Sequence, residues 1–73
     1  MTSGNGKIIP VRAQAAALSG NGRTRAEAAA HAIAIAATWR RASERSRRGK
    51  PRDACIAREV YWQQVAHAIR EAA

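Results

Sequence analysis

The chain has 73 residues, a formal net charge of +8 and one cysteine. These exclude more than one domain and an internal disulfide, and no Cys/His spacing has the pattern of a zinc site. Of the apolar residues, 19 are alanines, which leaves only a thin set of larger side chains for a core. A domain this small rarely gains more than ~3–5 kcal/mol net from its core, so burial against a second copy is expected.

In chain order, residues 1–6 are polar and glycine-rich and read as a disordered lead-in. Residues 7–73 read as a single small helical domain, dimeric by the argument above. Residues 7–12, KIIPVR, carry a β-branched cluster and predict a short extended segment. Pro10 confines any strand there to an edge or a dimer seam, because it has no N–H to donate. Residues 13–18 predict a turn or two of helix, and Gly20-Asn21-Gly22 breaks it.

Thr24 with Glu27 three residues on has the capping-box arrangement. A long helix over about 24–47 follows, with alanine at the top of the helix-propensity scale. At 100° per residue Ala28, Ala32, Ile35 and Trp39 fall on one stripe, expected to face the core or a dimer partner. Ile33 lies nearly opposite, so the first half of this helix is apolar all round. Gly49-Lys50-Pro51 ends it, with Gly49 expected just past the C-terminus. A second long helix is expected over about 52–72, with Trp62, Val65 and Ile69 on its buried stripe. Ile56 and Val60 lie off that stripe and form a possible patch for a partner. The expected architecture is mainly α: two long helices as an antiparallel hairpin, preceded by the extended segment and the short helical turn.

The strongest functional signal is the stretch 40–52, RRASERSRRGKPR. It places Arg40, Arg41, Arg45, Arg47, Arg48, Lys50 and Arg52 beside the lone acid Glu44. One or two cations at a helix C-terminus are explained by its dipole, but seven repel one another and call for a polyanion. Double-stranded DNA is the expected partner, gripped through phosphates and without base reading from this cluster.

The stretch 22–33, GRTRAEAAAHAI, also resembles the second-helix entry of ribbon-helix-helix repressors. Gly22, Arg23, Thr24, Arg25 and Glu27 stand where that family has a Gly-Arg-Ser-Arg-Ser-Glu-like turn, and Ala32-Ile33 where it often has an Ala-Ile pair. The resemblance implies a dimer whose paired strands, here residues 7–12, enter the major groove with Lys7, Ile9 or Arg12 toward the bases. It implies backbone contacts for Arg23, Thr24 and Arg25. The expectation is therefore a homodimeric, DNA-binding transcriptional regulator. An alternative is a helical adaptor or inhibitor, of the antitoxin or phage-inhibitor type, that binds an acidic protein surface. A third is single-stranded nucleic acid stacked on Trp39, Tyr61 and Trp62.

No paired carboxylates, phosphate loop or nucleophile with a base appears, so no enzyme and no cofactor are expected. His31 and His67 read as ordinary histidines, not metal ligands, and Cys55 as a small core filler. No uncharged apolar run reaches the ~18 residues of a membrane span, and the N-terminus lacks a signal-peptide apolar stretch. A cytoplasmic, bacterial protein is expected.

Overall fold

The computed structural model describes residues 8–20 and 22–72; the expected lead-in, Lys7 and Asn21 lie outside them. Three helices follow in order: α1 (Val11–Ser19), α2 (Arg25–Arg45) and α3 (Lys50–Glu71). This corrects the expected pair of long helices preceded by an extended segment. Among the described residues there is no strand, and Val11 and Arg12 are the first residues of α1.

Pro10 explains the difference. It stands at the N-cap of α1, where its missing N–H costs nothing, and its carbonyl accepts from the Gln14 N–H at 3.0 Å. The alanines that follow carry the helix on, and Ala15 and Leu18, three residues apart, are buried. A segment expected to turn once or twice is thus a docked helix of nine residues.

At the start of α2 the capping box is present in full. The Thr24 hydroxyl accepts from the Glu27 N–H at 3.1 Å, and the Thr24 N–H donates to the Glu27 carboxylate at 2.9 Å. The other end of α2 comes two residues earlier than expected. There the Ser46 hydroxyl donates to the Ala42 carbonyl at 2.7 Å, and the backbone turns extended at Ser46. Gly49 is the N-cap of α3 instead of the C-terminal neighbour of α2. Its φ of +103° is a conformation that glycine adopts without penalty. Pro51 sits in the first turn of α3, where no N–H is missed, and Asp53 lies beside the positive end of the helix dipole.

α3 is the central element: α2 packs along it and α1 docks on it, whereas α1 and α2 touch little. The core joins Ala15 and Leu18 of α1, Ala28, Ala29 and Ala32 of α2, and Val65, Ala66 and Ile69 of α3. Val65 and Ile69 are the largest side chains buried completely. Alanines on the facing side of α2 let the helices approach closely, so dispersion contacts make up part of what large side chains would contribute.

Candidate nucleic-acid interface

The turn joining α2 to α3 is built from polar contacts. Ser43 is buried and its hydroxyl donates to the Arg40 carbonyl at 2.7 Å. Arg52, half-buried, donates through Nε to the Ser43 carbonyl at 3.0 Å and so satisfies one of the last acceptors of α2. Ser46 Oγ lies 3.7 Å from the thiol of Cys55, a weak polar contact that ties the turn to α3. These bonds fix the backbone on which the remaining cations stand.

Those cations divide by what they touch. Arg52 is engaged with Ser43. Arg40 lies 3.9 Å from Glu44, both side chains about two-thirds exposed at 68% and 65%, so the pair contributes little. Arg41, Arg45, Arg47, Arg48 and Lys50 are exposed and have no ion-pair partner among the described residues. Five uncompensated cations therefore surround one short turn.

The other expected nucleic-acid contacts lie elsewhere. Arg12 is exposed in the first turn of α1 and Arg25 is exposed at the first residue of α2. Arg23 is half-buried, with Nη1 3.5 Å from the Leu18 carbonyl. The Thr24 side chain is occupied in the capping box. From Arg25 to Arg45 the helix axis runs about 30 Å, so the structure separates this group from the turn instead of joining the two. Of the residues expected in a core or dimer seam, Ala28, Ala32, Val65 and Ile69 are buried, while Ile35, Trp39 and Trp62 are half-buried. Ile56 and Val60 stay exposed, at 42% and 44%.

Several contacts had no sequence signal. The Arg58 guanidinium sits 4.9 Å from the centre of the Trp39 ring, a cation–π arrangement that depends on the register of α2 against α3. Tyr61 meets Trp62 edge to face at 5.4 Å between centroids, and its hydroxyl donates to the Ile9 carbonyl at 2.5 Å. Burial raises the Tyr61 pKa above the ordinary phenol value. Arg70 and Arg25 line the same open groove, which neither helix shows alone. An antiparallel helical wheel would place Arg70 near the start of α2, but only once the register is known.

Among the described residues no three His, Cys, Asp or Glu side chains gather to hold a metal ion. No helix there is long and apolar enough to cross a membrane. Comparison of the chain with protein-family models, with curated proteins and with solved structures gives no match.

Proposed function

We propose that this is a small DNA-binding protein, a homodimeric transcriptional regulator that grips the phosphates of double-stranded DNA with its arginines. The observation that carries the reading is the turn between α2 and α3, where Arg41, Arg45, Arg47, Arg48 and Lys50 are exposed and unpaired on a fixed backbone. Preorganised cations lose less side-chain and backbone freedom on meeting phosphate than cations on a loose tail. The scarcity of large buried side chains supports the second copy, since among the described residues Val65 and Ile69 alone are large and fully buried. The reading rests on charge and not on the family resemblance, since of its ribbon residues those described, 8–12, lead into and begin α1.

Fluorescence anisotropy with a labelled duplex across salt tests it. The five turn cations alone predict a slope of about −4.5 in log K against log salt, or a loss of about 500-fold between 50 and 200 mM. Replacing Arg45, Arg47 and Arg48 by Gln should lower that slope by about 2.7. A flat response in the wild-type protein removes the proposal.

A second reading, an adaptor for an acidic protein surface, is favoured by the exposure of Ile56 and Val60. Their replacement by Ser should leave duplex binding unchanged and weaken such a partner. Stacking of unpaired bases is less supported, because Arg58 already covers one face of Trp39.

A further inference from the structure

We infer that the protein carries a second phosphate contact, formed by Arg25 and Arg70, and that one duplex spans α2 from this pair to the turn; this rests on the DNA-binding reading above. Arg25 opens α2 and Arg70 lies in the last turn of α3. Both are exposed, and both line one open groove of about 490 Å³ together with Ala26, Ala29, Ala30 and Ile33. Two like charges lining one groove from different helices repel, and an anion in the groove relieves the repulsion.

Among the described residues no acidic group pairs with either arginine. The sole ion pair among the described residues is Arg40–Glu44, at the far end of α2. Glu27 is the acid in the first turn of α2, and one of its oxygens is held by the Thr24 N–H at 2.9 Å. Glu71 lies on a different groove, shared with Arg12 on the α1 side. The positive end of the α2 dipole adds to the field at Arg25.

The path between the two ends fits a close-approaching rod. Residues 28–39 hold no formal charge. At 100° per residue, Ala26, Ala30, Ile33 and Ala37 share a flank with Arg40 and Arg41. The alanines on that flank leave room for a sugar-phosphate backbone on either side of the exposed Ile33. Arg25 and Arg41 are separated by about 24 Å of helix, close to seven base pairs of B-form duplex. A rigid duplex can meet both ends at once without bending.

The test compares wild type with Arg25→Gln/Arg70→Gln on a 16-base-pair duplex by salt-dependent anisotropy, with circular dichroism melts run beside it. The variant should lose about 1.8 from the salt slope and bind at least tenfold more weakly at 100 mM salt. Arg25→Lys/Arg70→Lys should restore most of the slope, which a purely structural role of the arginines would not produce. On a stem of five base pairs, too short to reach both ends, wild type and the Gln variant should give the same slope. An unchanged slope on the long duplex overturns the second contact and leaves the turn as the binding site. A difference on the short stem as well assigns the pair to an independent site and overturns the spanning geometry. A wild type without salt-dependent binding overturns both this inference and the function it rests on.

Discussion

The two ends of the α2–α3 pair are held by different physics. At the end where α1 docks, Ala28 and Ala32 of α2 pack on Val65 and Ile69 of α3, all four almost wholly excluded from water. At the turn end the buried residue is Ser43, and hydrogen bonds from Arg52, Ser43 and Ser46 to backbone carbonyls take over. One end gains stability by removing apolar area from water. The other satisfies the acceptors that close α2 and keeps its surface wet. The charge follows the same division. Five unpaired cations crowd the turn end, where the loss of a little folding stability is tolerated because the apolar core lies elsewhere.

The most severe way to break that contrast is Ile69→Ala. It should cost ~2–5 kcal/mol, as much as the whole net stability of a domain this small, so thermal or urea melts should show a largely unfolded chain. Ile56→Ala on the exposed side of the same helix should change stability by less than ~0.5 kcal/mol. Equal losses from the two would mean that the partition of α3 into buried and exposed faces is misplaced. Arg52→Gln sharpens the comparison at the other end. Losing the charged bond to the Ser43 carbonyl should cost ~1–2 kcal/mol. Hydrogen exchange should then quicken around residues 43–53 and stay slow around Val65 and Ile69. Tyr61→Phe, which removes the bond to the Ile9 carbonyl, should cost ~1 kcal/mol, read as a small drop in the melting midpoint.

Tyr61 also gives a pH signature. Its pKa is raised in the folded state, so its contribution is complete below the unfolded phenol value and fades as pH climbs through the folded one. Phenolate absorbance should therefore titrate above the ordinary range in the native protein. A midpoint at the unfolded value would place Tyr61 in full solvent, without its partner.

Local signals were readable where one residue decides the outcome. Thr24 and Glu27 announce the start of α2, and the residues around Gly49 announce the turn. The first helix was harder to read. Ile8, Ile9 and Val11 favour an extended backbone by propensity, but Pro10 supplies a helix start and docking of Ala15 and Leu18 on α3 outweighs the local preference. The basic turn was legible in full as a charge count, yet the count did not show that Arg52 is engaged in capping or that Arg40 faces Glu44. Arg58 over Trp39, and the groove that Arg70 shares with Arg25, depend on helix register, which a single sequence does not encode in any local pattern.

The central place of α3 has a consequence for how the chain reaches its fold. α1 and α2 share little surface, and each finds its buried partner mainly on the last of the three helices. As the polypeptide emerges from the ribosome, the first two helices have nothing to dock on until α3 follows. Their alanine faces stay wet during that interval, and isolated helices of this length are marginal in water. Folding is thus expected to be a late, concerted event that waits for Val65 and Ile69, with no stable N-terminal intermediate for a protease or chaperone to meet.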